Sequence, residues 1–126
     1  MTSCERTLLV VDDNEMNLLV AHDTLEADGY QVYDARTVEE AERLVETVCP
    51  ALIVLDWHLT GVTGADLVGR LQTAGPPRPR ILVVTADIRP AVHEGALRAG
   101  VDAVLTKPYR GTELVQAVRA LLSHAP

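Results

Sequence analysis

Four places in the chain carry polar or charged side chains that an apolar strand does not need, and each lies at the end of a short aliphatic run. Asp12-Asp13 follow Leu8-Leu9-Val10-Val11, and Asp56 follows Ala51 to Leu55. Thr85 follows Ile81-Leu82-Val83-Val84, and Lys107-Pro108 trails Val101 to Leu105. If the runs lie side by side, three carboxylates meet at one edge, where like charges repel and raise one another's pKa. A bound Mg²⁺ would relieve that repulsion, since it takes carboxylate, carbonyl and water oxygens in an octahedron. It would also neutralise an incoming phosphoryl group. Lys107 could pair with Asp56 when such a site is empty and with a phosphoryl oxygen when it is filled, and Thr85 could donate to another of those oxygens.

The elements that must position these groups can be read from periodicity. The expected strands are 7–11, 30–34, 51–55, 81–84 and 101–105. The first, third and fourth are apolar throughout, as strands covered on both faces are. The second, after Gly29, alternates like an edge strand, and the fifth carries Asp102 near its start, as if entering from solvent. Between them, Asn14 to Asp28 places Leu18, Ala21 and Leu25 on one helical face, with Gly29 as a C-terminal cap. Thr37-Val38-Glu39-Glu40 opens a second helix with a capping-box pattern, running to about Val48. Thr63-Gly64-Ala65-Asp66 starts a third that ends before Gly75-Pro76-Pro77, and Pro90 suits the first turn of a fourth that stops at Gly100. A fifth spans Thr112 to Leu122, with Leu114, Val115, Val118 and Leu122 facing inward. Strict βα alternation predicts an α/β fold: a parallel sheet with right-handed crossovers and helices on both faces. The length favours an open five-stranded sheet over a barrel, and such sheets bind ligands at the carboxyl ends of their strands.

Bulk properties bound the function. A chain of 126 residues makes one domain, spanning 1–126, with a core that must be aliphatic, because aromatics are 3 % and Phe is absent. The net charge of −7 argues against a nucleic-acid surface and suits a protein that binds a cation. Cys4 and Cys49 read as unpaired cytosolic thiols. No signal peptide or membrane span is expected, which places the protein in the cytoplasm. His22, His93 and His124 read as surface residues, and no Cys/His cluster suggests zinc.

Asp12-Asp13, Asp56, Thr85-Ala86 and Lys107-Pro108, in this order and each at a strand end, resemble the receiver domain of bacterial two-component response regulators across nearly the whole chain. Gly64 falls where that family has a loop glycine. The resemblance implies a flavodoxin-like (βα)₅ doubly wound sheet of strand order 2-1-3-4-5. It also implies a phosphoacceptor: Asp56 would take a phosphoryl group from a phosphohistidine on a sensor histidine kinase or a histidine phosphotransfer protein. Asp13 would bind Mg²⁺ directly and Asp12 more loosely, with Asp56 and the backbone carbonyl of His58 completing the protein ligands. The family's Lys-Pro bond is typically cis, which would aim Lys107 into the pocket. The result would be a self-phosphorylating and self-dephosphorylating signalling domain, not a turnover enzyme. Homodimerisation through the fourth helix, fifth strand and fifth helix is a further expectation of the resemblance.

Three residues depart from the family pattern. Val104 stands three before Lys107, where Tyr or Phe is usual, so the coupling in which that aromatic turns inward as the threonine moves cannot operate in its usual form. Thr60 replaces a common proline four after Asp56. His58, two after Asp56, holds the position that influences phosphate lifetime in the family. With Asp87 it is expected to flank the mouth of the pocket, where an imidazole beside a carboxylate could modulate dephosphorylation. Other aspartate chemistries fit less well. A haloacid-dehalogenase-type phosphatase needs a second acid where His58 stands, a pseudo-receiver would have lost an acid or the lysine, and a nucleotide-binding flavodoxin-like protein needs a glycine-rich loop after the first strand.

Overall fold

The computed structural model describes residues 6–58, 64–73 and 78–123. The expectations placed on Cys4, Thr60, Thr63, Gly75-Pro76-Pro77 and His124 lie outside the described residues. Among the described residues ten elements alternate: β1 (Thr7–Val11), α1 (Glu15–Ala27), β2 (Gln31–Ala35), α2 (Val38–Val48), β3 (Leu52–Asp56), α3 (Gly64–Thr73), β4 (Arg80–Thr85), α4 (Pro90–Arg98), β5 (Ala103–Thr106) and α5 (Gly111–Ser123). All strand pairs are parallel and the order is β2-β1-β3-β4-β5, the doubly wound arrangement expected.

The apolar runs work because alternate residues feed two cores. Leu9, Val11, Ile53, Leu55, Ile81 and Val83 pack with α2, α3 and α4 on one face. Leu8, Val10, Leu52, Val54, Leu82 and Val84 pack with α1 and α5 on the other. Successive strand side chains point to opposite faces, so a strand buried on both sides has no place for a polar residue until it ends. The edge strand β2 departs from the expected alternation: Val32 is buried on one face and Ala35 on the other, Tyr33 is half-buried, and Gln31 and Asp34 are exposed.

Local chemistry sets the helix ends. The Asn14 side chain accepts from the Asn17 N–H at 2.9 Å and starts α1, whose buried residues are Leu18, Ala21 and Leu25. Gly29, at φ +96°, makes the left-handed turn that returns the chain to β2. The Thr37 hydroxyl caps α2 through the Glu40 N–H at 3.1 Å, while the Glu40 carboxylate accepts from Arg36, one residue before the cap. Gly64 opens α3.

The last strand starts later than its pattern predicts, at Ala103. The Asp102 carboxylate accepts the Ile81 N–H at 2.7 Å, and the Asp102 N–H donates to the Ile81 carbonyl at 2.9 Å. Asp102 therefore ties the entry of β5 to the start of β4 before the ladder begins. Two of the histidines read as surface residues are half-buried and have partners. His93 Nε2 lies 2.7 Å from the Asp87 carbonyl, fastening α4 to the loop that precedes it. His22 stands between Asp34 Oδ1, 2.8 Å from Nδ1, and Glu26 Oε2, 3.3 Å from Nε2. The hydrogen bond to Asp34 leads in raising the His22 pKa above its usual range, against the opposing effect of burial. Among the described residues, no helix is long and apolar enough to cross a membrane.

Candidate functional site

Register brings the chemical groups together. Val11 pairs with Leu55, so Asp12 and Asp56 follow at neighbouring positions on adjacent strands. Asp56 pairs with Val84 and Thr85 pairs with Thr106, so Thr85 and Lys107 come next along the same edge. Asp56 and Thr85 are the last residues of β3 and β4 rather than the first beyond them.

Ligand oxygens of Asp12, Asp13 and Asp56 all lie within 4.8 Å of one another. Asp12 is buried, and Asp56 keeps only 12 % of its side chain exposed. Burial, reinforced by the Asp12 and Asp13 charges, raises the Asp56 pKa above the usual carboxylate range. The His58 N–H, 3.2 Å from Asp56 Oδ1, and the Lys107 charge work in the opposite direction. The Lys107 ammonium is shared, 3.6 Å from Asp12 Oδ2 and 3.9 Å from Asp56 Oδ1. Asp12 also accepts the Asn14 N–H at 2.9 Å, which couples the acidic edge to the start of α1. The Lys107-Pro108 peptide bond is cis.

Three close carboxylates, with no donor softer than oxygen, form the kind of set that suits a hard divalent cation. The repulsion borne by Asp56 is the physical reason for such a site to take one. Beside it opens a cleft of about 410 Å³ between α1 and the segment after β5, with Asn17, Ala86, Pro108 and Tyr109 among its walls. Burial there, with the Asp12 charge, pushes the Tyr109 phenol up.

Thr85 is 1 % exposed, and its hydroxyl accepts the Asp87 N–H at 3.1 Å. His58 Nε2 lies 3.0 Å from the same oxygen. Sequence spacing placed His58 and Asp87 at the mouth of the site but gave no sign that the imidazole reaches Thr85, because that contact crosses 27 residues and two strands. The Asp87 carboxylate, expected beside His58, is engaged by Arg89, whose guanidinium donates to Oδ1 at 2.9 Å and to Oδ2 at 2.6 Å and holds its pKa well below the usual range. Val104 packs on the α2–α3–α4 core, whereas Tyr109 belongs to the opposite one, so Tyr109 is on the wrong side of the sheet to replace the absent aromatic.

The family model of the response regulator receiver domain matches residues 8–119. The chain belongs to that family. The phosphate regulon transcriptional regulatory protein PhoB of Rhizobium meliloti (strain 1021) is 34 % identical over 119 residues, covering 94 % of this chain and 52 % of that protein. This receiver chain therefore spans about half the length of such relatives. The polar-differentiation response regulator DivK of Brucella ovis is 27 % identical over 121 residues, covering 95 % of this chain and 98 % of that protein. The crystal structure of a response regulator protein from Burkholderia pseudomallei superposes with a TM-score of 0.81 at 31 % identity, covering 94 % of this chain and 69 % of that one. That protein carries a phosphorylated aspartic acid, with a calcium ion and citrate.

Proposed function

We propose that Asp56 is the phosphoacceptor of a two-component signalling step. The observation that carries this reading is the single ammonium of Lys107 set between Asp12 and Asp56 at the edge of a three-carboxylate cluster. A cation so placed partly offsets the charge of the resting carboxylates and can turn to a phosphoryl oxygen when one arrives. The phosphorylated aspartic acid and calcium ion of the Burkholderia relative support the same reading.

In the reaction, a carboxylate oxygen of Asp56 forms the new bond to phosphorus as the phosphorus–nitrogen bond of a phosphohistidine breaks. The imidazole departs with that electron pair, on a sensor histidine kinase or a histidine phosphotransfer protein. Such transfers depend chiefly on positioning and charge neutralisation. Lys107 supplies one positive charge, and the Thr85 hydroxyl is the donor for another phosphoryl oxygen. Asp13, Asp56, Asp12 and the His58 carbonyl are the groups that would hold Mg²⁺, which when bound adds further neutralisation of the transferring group. Hydrolysis of the acyl phosphate by water returns Asp56 and inorganic phosphate, so the domain cycles between two states and does not turn over a substrate of its own.

The setting is cytoplasmic signalling. Output runs through the α4–β5–α5 surface, where Leu97 is 51 % exposed, by homodimerisation or by docking of another domain. Sedimentation with and without beryllofluoride tests the dimer, and identical monomers in both would remove it. For the phosphoacceptor, acetyl phosphate with Mg²⁺ should add one phosphoryl group to the parent and none to Asp56→Asn by intact-mass spectrometry. An undiminished adduct on the variant would reject the assignment.

A further inference from the structure

We propose that His58 is a latch on Thr85 that holds the resting state, a role that rests on the phosphoacceptor reading of Asp56. A threonine hydroxyl has one hydrogen to give and two lone pairs to receive with. At Thr85 one lone pair is occupied by the Asp87 N–H, and the residue is 1 % exposed, so water does not serve the hydroxyl hydrogen. Its other side-chain partner among the described residues is His58 Nε2 at 3.0 Å. A buried hydroxyl needs an acceptor for its hydrogen, and Nε2 is the atom in place. His58 thus carries its own proton on Nδ1 and receives the Thr85 hydrogen on Nε2.

A phosphoryl oxygen on Asp56 would call on that same hydrogen. Thr85 cannot give it to both, so phosphorylation and the His58–Thr85 bond exclude each other. The two ends of the latch are mechanically linked to the site, because the His58 N–H also donates to Asp56 Oδ1 at 3.2 Å. His58 is exposed, so release of its ring changes the surface at the mouth of the site. This gives the domain a side chain that registers the state of Thr85 although position 104 carries no aromatic ring.

Two measurements test the latch. In the unmodified protein at about pH 8, above the ordinary imidazole range, long-range ¹H–¹⁵N spectra should show the His58 ring protonated on Nδ1. Thr85→Val should shift the Nε2 resonance. A ring protonated on Nε2 overturns the proposal, independently of metal or phosphoryl chemistry. The second measurement is beryllofluoride affinity with Mg²⁺ present, read from Trp57 fluorescence. Losing a competing neutral hydrogen bond should tighten binding in His58→Ala by about 2- to 10-fold. The same substitution in a Thr85→Val background should change nothing. Equal or weaker binding by His58→Ala, or a gain that persists without the Thr85 hydroxyl, refutes the latch. Asp56→Asn serves as the separate control: binding retained there rejects the phosphoacceptor reading, whatever His58 does.

Discussion

Replacing Asp56 by Asn should make the metal-free protein more stable, although it removes a charged group that has a lysine partner. At an effective dielectric of about 20, two unit charges 4.8 Å apart repel by about 3.5 kcal/mol. Asp56 faces two such neighbours, Asp12 and Asp13, for about 7 kcal/mol of repulsion by the same estimate. Lys107, 3.9 Å away, returns about 4 kcal/mol. The balance is unfavourable by about 3 kcal/mol, and solvent around the half-exposed Asp13 reduces it to about 1–3 kcal/mol. Asn keeps an oxygen to accept the His58 N–H, and Lys107 keeps Asp12 at 3.6 Å. For a domain of this size the gain corresponds to roughly 4–12 °C in Tm. Thermal unfolding followed by circular dichroism in EDTA at pH 7 measures it. Millimolar Mg²⁺ should then raise the parent more than the variant, closing or reversing the gap. The pH dependence has a definite direction. The folded-state pKa of Asp56 is raised, so above it the ionised group weighs fully against folding. As pH falls from that value towards 3.8, the native state takes up the proton before the unfolded chain does, and the parent gains on the variant. A variant that melts at or below the parent in EDTA would refute the claim that burial and repulsion together make the Asp56 charge a net burden on the fold.

Three other outcomes are expected. Asp13→Ala should weaken Mg²⁺ binding by about tenfold or more, as titrated by Trp57 fluorescence, and unchanged affinity would remove Asp13 from the ligand set. Leu82→Ala, at a position fully buried between β4 and the α1–α5 layer, should cost about 2–5 kcal/mol in urea unfolding with little change in slope. His22 has a raised folded-state pKa, so its contribution to stability is complete below 6.5 and is lost as pH rises through the raised value. The Tm difference between the parent and His22→Gln should therefore be larger at pH 5.5 than at pH 8.5, a range chosen to bracket ordinary imidazole titration. A constant difference would assign His22 a purely steric role.

The fold was legible because burial on both faces leaves a plain trace: Leu8 to Val11, Leu52 to Leu55 and Ile81 to Val84 have no polar interruption. The residues of the acidic edge stood out for the same reason, as the first departures from those runs. Strand ends were harder, because hydrogen bonding across the sheet decides them. Asp102 looked like part of a strand until its carboxylate proved to bind the Ile81 N–H. Side-chain reach was not legible at all. Nothing in the spacing of His58 and Thr85, or of His22 and Asp34, announces that an imidazole bridges them, since those meetings depend on register and rotamer together. Arg89 is a milder case. A cation two residues from Asp87 was visible, yet only the turn before α4 makes it grip that carboxylate.

The placement of Asp12, Asp56 and Thr85 at the tips of three neighbouring strands turns the domain into a gauge of its own assembly. Each residue advances a strand by about 3.3 Å, so a slip of β3 by one position against β1 would carry Asp56 out of reach of Asp12 and Lys107. The same slip would turn Ile53 and Leu55 from one core to the other. A chain that has closed its sheet in any wrong alignment would thus be deaf to its signal, and only correctly assembled copies would report.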